Sequence, residues 1–296
     1  MSDLRQQHPE TPIIIIERDE DSPVTSPASH RHAWLRKFGC GFGILVAILL
    51  ALVAYNLSEY YYNIGIPVSL SPEENIEKLK SPGKNEPAEV VMTGDSILGV
   101  ALEFYAIHGL RASIEFQEPD TADLSVYLYC RSADHTTGGK YIGSLVANGK
   151  ELQSDRTRLG YMAMTTQNMV IGISRSDKVK DYVQAQGGSF FRQFIMVSDG
   201  VLPARFYLHG KVERRAIGRM GDNLYYIATR HKETLWDFAD ALREYGFIDA
   251  IYITGGKDYC FYRSADGQRH DIGDIADYPQ KKWAGTIPWL VFRKQE

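Results

Sequence analysis

Apolar side chains recur at helical spacing close to the C-terminal end of the chain. The positions i, i+3, i+4 and i+7 of one stretch are occupied by Leu235, Phe238, Ala239 and Leu242. This spacing predicts an amphipathic helix with one buried stripe. Thr234 and Asp237 resemble a capping box at its start, and Gly246 supplies a left-handed stop at its end.

Two strands joined by a glycine pair are predicted after that helix. Phe247 to Ile253 is a short apolar run rich in isoleucine, which predicts a buried strand, and Asp258 to Arg263 alternates as a second one. Gly255 and Gly256 lie between them. Such a pair lets the backbone come close to a ligand, and it serves equally well as a tight turn.

The pattern before this stretch is mostly that of short strands. Alternating or apolar runs predict strands at Ala112–Phe116, Leu124–Cys130, Tyr141–Val146, Met169–Ile173, Gly188–Val197, Asn223–Ala228 and Trp289–Phe292. Asn148-Gly149 predicts a hairpin turn, and helices are expected at 71–80 and 176–186. The predicted fold class is mixed α/β (α+β), a mixed sheet packed with a few helices.

An apolar segment precedes this domain. Phe38 to Leu57 carries no charged residue, and about 20 residues suffice to cross a hydrocarbon core. Arg31, Arg36 and Lys37 stand on its N-terminal side, so the positive-inside rule places the N-terminus in the cytoplasm. The long preceding tail and the lack of a small-x-small site favour an uncleaved transmembrane helix over a cleaved signal peptide.

Four regions follow from these patterns. They are a disordered cytoplasmic tail at 1–33, a transmembrane helix at 38–57, a juxtamembrane linker with a short helix at 58–89, and a folded domain at 90–296. We expect a single-pass membrane protein whose domain is periplasmic or extracellular, with the bacterial inner membrane favoured and lipid contacted through one helix. Gly39 and Gly43 have the spacing of a helix-pairing face for a homodimer, although glycine is common in membrane helices.

The composition of the chain limits the classes of function that are expected. A net charge of −4 with 24% charged residues argues against a nucleic-acid surface. The histidines show no ligand spacing, so neither a metal nor a cofactor is expected. Cys130 and Cys260 both lie in predicted strands of the domain. They predict either a disulfide or, more in keeping with buried strands, two free thiols.

The helix, glycine, apolar strand and Gly-Gly of the C-terminal stretch resemble a known family. They are similar to the C-terminal motif of the phosphodiester glycosidases, whose strand ends Leu-Asp-Gly-Gly. Here Thr254 stands where that family has aspartate, and Lys257-Asp258 replaces a small polar pair. The scaffold therefore resembles the family more closely than its reactive groups do.

Three further segments resemble the same family, in the same order along the chain. Ala163–Met169 has Thr165 in place of an asparagine, and Phe194–Gly200 is an apolar strand that ends in Asp199-Gly200. Arg215–Gly218 is similar to the family's Arg-x-Ile-Gly. Without the resemblance, the basic run that contains Arg215 is typical of a solvated strand face.

The resemblance implies a glycan or sugar-phosphate ligand and an arginine in the pocket. Guanidinium groups suit such a ligand because they bind phosphate bidentately. The catalytic candidates are Asp258, Asp199 and Arg215. The substrate-binding candidates are Arg192, Gln193, Arg214, Gly218, Thr165, Asn168, Thr254, Gly255, Gly256 and Lys257.

Three functions stay open at this point. A threonine cannot act as a carboxylate, so Thr254 leaves it undecided whether the chain is an enzyme. The chain is expected to cleave sugar-1-phosphodiesters, or to be a catalytically degraded relative that binds envelope glycans. The third alternative is a structural domain that binds another protein.

Overall fold

The computed structural model describes residues 41–55, 72–133, 140–203, 209–273 and 287–294. The chain divides into two compact units, Met1–Val53 and Ala54–Glu296. The expected tail at 1–33, the linker residues 58–71 and Gly39 lie outside the described residues, so the tail and the homodimer stay predictions. The placement of the folded domain outside the cytoplasm stays a prediction as well.

The helices and strands alternate irregularly along the chain. The helices are α1 (41–55), α2 (Pro72–Lys80), α3 (Lys178–Ala185) and α4 (Leu235–Tyr245). The first eight strands are β1 (Glu89–Ile97), β2 (Val100–His108), β3 (Leu110–Glu115), β4 (Val126–Arg131), β5 (Leu145–Ala147), β6 (Lys150–Gln153), β7 (Gly160–Met164) and β8 (Met169–Ile173). The other eight are β9 (Ser189–Gln193), β10 (Ile195–Val197), β11 (Arg214–Met220), β12 (Asn223–Thr229), β13 (Asp249–Gly255), β14 (Cys260–Arg263), β15 (Arg269–Ile272) and β16 (Trp289–Lys294).

These strands form three sheets. The first has the order β1-β2-β12-β11-β13-β10, the second β15-β14-β4-β16-β3, and the third β6-β5-β9-β7-β8. Every strand pair among the described residues is antiparallel. The predicted mixed α/β class is therefore wrong, since 44% of the described residues lie in strands and 20% in helices. The apolar run at Phe247–Ile253, predicted as a buried strand, corresponds to β13, which is buried and antiparallel to both of its neighbours.

All three sheets share one central hydrophobic core. Ile217 of the first sheet, Ile114 of the second and Met162 of the third are all completely buried in it. Because side chains alternate across a strand, each sheet must bury a second face elsewhere. α4 covers the first sheet through Phe238 and its neighbours, and residues of α2 and α3 pack with those of the third. The second sheet buries an aromatic cluster around Tyr129.

The predicted helix near the C-terminus is confirmed with its ends. The Thr234 hydroxyl accepts a hydrogen bond from the Asp237 N–H at 3.0 Å. Gly246 has a φ of 105°, a left-handed conformation that glycine adopts without a Cβ clash. The glycine stop directs the chain into β13, which supplies the first sheet with the apolar run seen in the sequence.

Most of the predicted strands are confirmed, and the differences have a physical reason. β8 has the bounds that the pattern gave, and Asn148-Gly149 forms the β5–β6 turn with φ values of 49° and 79°. β1, β2, β6, β7, β11 and β15 were not predicted. β1 is an edge strand that is exposed on both faces from Val91 to Ser96, whereas β7 and most of β11 are buried on both faces, so none of these three strands alternates.

The prediction of a transmembrane helix at Phe38–Leu57 is corrected by the structure. The described part of Phe38–Leu57 is the helix at 41–55, and residues 38–40 and 56–57 lie outside the described residues. No helix among the residues that the structure describes combines the length and the apolar character needed to cross a membrane.

Thr234→Ala should lower the free energy of unfolding by about 1 kcal/mol, because it removes the side-chain acceptor at the start of α4. Urea unfolding followed by circular dichroism measures this loss. Thr234→Ser is the matched control, since serine keeps the hydroxyl and should stay close to the wild type. Equal stability of the alanine and serine variants would contradict the capping role.

Candidate functional site

The site lies where the chain crosses from the first sheet to the second. β13 ends at Gly255, and the turn at 256–259 leads into β14 of the second sheet. Arg215 of β11 is the register partner of Thr254 on β13. On the second sheet, Cys130 of β4 is the register partner of Cys260 on β14. The turn therefore places groups from both sheets next to one another.

Asp258 is the buried carboxylate of this turn, with only 4% of its surface exposed. Its Oδ2 accepts a short hydrogen bond from the Thr254 hydroxyl. Its Oδ1 accepts one from the Tyr259 N–H at 2.9 Å, and the Arg131 Nη1 lies 3.9 Å away. Thr254, which replaces the aspartate of the resembled family, thus serves as a hydrogen-bond donor to a carboxylate four residues later.

Arg215 lies opposite Thr254 on the neighbouring strand and is also buried. Its Nη1 donates to the Gly256 carbonyl at 2.6 Å, and its Nη2 lies 3.6 Å from the Glu213 carboxylate. Burial on its own would lower the pKa of this guanidinium. The neighbouring Tyr226, Asp258 and Glu213 more than offset this and raise the pKa above its ordinary value. Arg215 is therefore a permanent positive charge in the interior.

Arg215 uses fewer of its donors than Arg192 and Arg214 do, although the Arg192 Nε also has no partner among the described residues. Arg192 donates from its Nη1 to the Ser174 carbonyl and from its Nη2 to the Ser176 carbonyl, each at 2.7 Å. Arg214 donates to the carbonyls of Gly210 and Glu233. Within the described part of the chain, by contrast, the Nε and Nη2 of Arg215 donate no hydrogen bond. A guanidinium has five N–H donors, so Arg215 can still receive an acceptor.

Below these charges lie two cysteines and a tyrosine that are almost completely buried. Cys130 and Cys260 are both free, which confirms the second alternative of the sequence analysis. Burial raises the pKa of both thiols. The Tyr226 hydroxyl lies beside the Cys260 sulfur, but it makes no hydrogen bond of normal geometry among the described residues. Cys130, Cys260 and Tyr226 therefore separate the charged groups of the turn from solvent on their buried side.

Five of the predicted site residues come together in this arrangement. They are Arg215, Thr254, Gly255, Gly256 and Asp258. Lys257 belongs to the same turn and is exposed. We call Arg131, Arg215, Thr254, Gly256 and Asp258 the Arg215 cluster.

Two pairs of the other predicted residues make contacts elsewhere. The Arg192 guanidinium also reaches the Asp177 carboxylate at 3.2 Å, and the Gln193 side chain accepts from the Phe194 N–H. Thr165 and Asn168 form the turn between β7 and β8, where the Thr165 hydroxyl accepts from the Asn168 N–H. These side chains form hydrogen bonds with backbone groups near them and do not belong to the Arg215 cluster.

The last three predicted residues also have roles in local structure. The Asp199 N–H donates to the Asp249 carboxylate in a turn where Asp199 has a φ of 52°. A Cβ at Gly218 would lie 2.7 Å from the Phe247 ring, so this glycine allows that ring to pack on β11. Arg214 lies 3.4 Å from the Tyr252 hydroxyl.

Sequence reasoning missed Arg131 and Glu213. Arg131 follows Cys130 at the end of a predicted strand, and a charged residue that closes a buried strand is the only signal it gives. Its contact with Asp258 joins positions far apart in the chain, so no spacing in the sequence relates them. Glu213 stood in a basic run that was typical of a solvated face.

Thr254→Val should lower the free energy of unfolding by about 1.5–3 kcal/mol, because a hydrogen bond to a buried carboxylate is lost with little change of shape. Urea unfolding measures the loss. Thr254→Ser keeps the hydroxyl and should be clearly less destabilising. If valine is tolerated as well as serine, the hydroxyl does not hold Asp258.

Cys130 and Cys260 should resist alkylation in the native protein at pH 8, because their raised pKa values leave little thiolate and burial blocks the reagent. Both should react fully in denaturant without a reductant. Peptide mapping by mass spectrometry separates them from Cys40. Labelling that requires prior reduction would show that the two thiols are joined.

The comparisons with known proteins bear on the fold alone. No protein-family profile matches the chain, and no curated protein matches it. Among solved structures, the zebrafish N-acetylglucosamine-1-phosphodiester alpha-N-acetylglucosaminidase (NAGPA) catalytic domain, auto-inhibited by its pro-peptide, is similar with a TM-score of 0.51 and 12% identity, over 73% of this chain and 86% of that one. A hypothetical protein from Synechocystis is similar with a TM-score of 0.50 and 9% identity, over 70% of this chain and 64% of that one. The chain therefore has a phosphodiester-glycosidase-like fold.

Proposed function

We propose that the domain binds a sugar phosphodiester, or a similar anionic glycan, at the Arg215 cluster. The observation that carries this proposal is the buried guanidinium of Arg215, whose Nε and Nη2 donate no hydrogen bond within the described residues. Its Nη2 lies within ion-pair distance of the partly exposed Glu213 carboxylate, at 3.6 Å. A phosphate oxygen pair is a fitting acceptor for two parallel N–H groups of one guanidinium.

Side chains rather than glycine amides would hold the anion. The Gly256 N–H already donates to the Glu213 carbonyl at 2.9 Å, and Gly255 is paired with Arg214 across the sheet. The glycine pair therefore acts as a tight turn whose carbonyl orients Arg215. Lys257 is exposed in the same turn and adds a positive charge at the surface, which favours the approach of an anion.

Binding is better supported than hydrolysis. A typical glycosidase uses one carboxyl group as an acid and another as a base or nucleophile. Asp258 already accepts from Thr254 and from Tyr259, so its oxygens are largely committed to the protein. A carboxylate held in this way compensates the positive charges of the neighbouring Arg131 and Arg215.

Hydrolysis is the second candidate, and one observation favours it. Glu213 is a partly exposed carboxylate with 37% of its side chain accessible, and it faces Arg215 as Asp258 does. Two carboxylates beside one arginine are the groups from which an acid and a base could be drawn. Release of free sugar from a sugar-1-phosphodiester by the wild-type protein distinguishes this function from binding alone.

Arg215→Gln should weaken binding of a methyl N-acetylglucosamine-1-phosphodiester by about 2–5 kcal/mol, because it removes a buried charge-assisted donor pair. Isothermal titration calorimetry measures the affinity. Arg230→Gln is the matched control, since Arg230 forms a half-exposed ion pair with Glu103 at 3.3 Å outside the cluster. Equal affinity of the two variants, or no binding by the wild type, would overturn the proposal.

A further inference from the structure

A cavity in another part of the domain shares no residue with the Arg215 cluster. It has a volume of 410 Å³ and lies between α2, the segment that follows α2, the central strands of the first sheet, and the edge strands β3 of the second sheet and β8 of the third. Its apolar lining includes Ile107, Leu110, Ile171 and Leu224. Small-molecule sites in proteins have volumes of about 300–1,000 Å³, and the wall of this cavity exposes polar and apolar surface in about equal measure. We call this space the side cavity.

Some charged groups around the side cavity are already paired. Arg219 contacts the Asp249 carboxylate at 2.5 Å, and Lys84 lies 3.3 Å from the Asp222 carboxylate. Both pairs line the cavity. They leave no net charge between them, so they do not decide what kind of ligand would enter.

Two further cations of the side cavity have no carboxylate partner. Lys78 makes no ion pair among the described residues, and the same holds for Arg111. The Arg111 Nε donates to the Thr166 carbonyl at 3.2 Å, which fixes the guanidinium while its Nη2 donates to no described group. The remaining carboxylate of the lining, Glu86, lies 3.5 Å from the His108 imidazole. The lining therefore carries an excess of positive charge.

Asn75 adds an unsatisfied polar atom to the same wall. This residue is 1% exposed, and its Nδ2 donates to the Tyr161 hydroxyl at 2.5 Å. Its Oδ1 has no hydrogen-bond partner in the part of the chain that is described. Exchanging the oxygen and nitrogen of the amide would leave the other atom without a partner. Buried amides are normally satisfied, so Asn75 is an unusual residue, although its unpartnered atom is itself buried beneath the wall of the cavity.

We propose that the side cavity binds a small organic carboxylate with an apolar chain. The carboxylate would lie between Arg111 and Lys78, since neither cation has a carboxylate partner among the described residues. The chain would lie against Pro82, Met169 and Leu224, apolar side chains of the lining that keep accessible surface. Neither a purely apolar molecule nor a bare inorganic anion satisfies both parts of this lining.

The test compares three probes on the full-length protein. Octanoate carries both features, 1-octanol has only the chain, and inorganic phosphate has only the charge. Calorimetric titration should show saturable binding of octanoate that neither other probe matches. Arg111→Gln should weaken octanoate binding at least about tenfold, since a charge-assisted contact is lost. Lys78→Gln, on the exposed face of α2, should weaken it as well and does not depend on a buried contact.

Two controls separate this site from other effects. Lys150→Gln removes an exposed lysine of β6 and should leave octanoate binding unchanged. Arg215→Gln should also leave it unchanged, so a failure of the proposed sugar-phosphodiester site would not affect this result. The proposal is overturned if octanol binds as well as octanoate, if phosphate alone accounts for the binding, or if both Arg111→Gln and Lys78→Gln bind octanoate like the wild type.

Discussion

The interior of this domain depends on keeping one carboxylate buried at a junction between two sheets. A buried charge without partners costs several kcal/mol, so Asp258 requires donors that arrive from different directions. Thr254 comes from the strand before the turn, the Tyr259 N–H from the residue after it, and Arg131 from the neighbouring sheet. The turn can close only when both sheets are in register.

That requirement links the local chemistry to the global fold. Cys130 and Cys260, both free thiols, are register partners on neighbouring strands of the second sheet. Arg215 and Thr254 are register partners in the first sheet. A slip of one residue in either sheet would move alternate side chains to the opposite face. It would take the donors away from Asp258 and bring polar groups into the shared core.

The local structure was largely predictable from the sequence. The Thr234 cap, the Gly246 stop and the β13 run follow rules that act over a few residues, and the structure has all three. The sheet class was not predictable in this way, because a strand buried on both faces gives the same apolar run in a parallel or an antiparallel sheet. Edge strand β1 gave no signal since solvent contacts both of its faces.

The candidate site was predictable only in part, for a related reason. Thr254, Gly255, Gly256 and Asp258 are close in sequence and could be recognised as one turn. Arg131 is brought there by strand pairing alone, and nothing in its neighbourhood along the chain indicates this.

The buried arginines bear on how such sequences should be compared. Arg192 uses a planar fork to join the carbonyls of Ser174 and Ser176, which a lysine could not reproduce. An alignment column of invariant arginine at that position would therefore record the demands of folding. Retention of arginine at position 215 would mean something else, because most of that guanidinium is not required by the backbone. Variation among relatives at these two columns would separate selection for architecture from selection for a ligand.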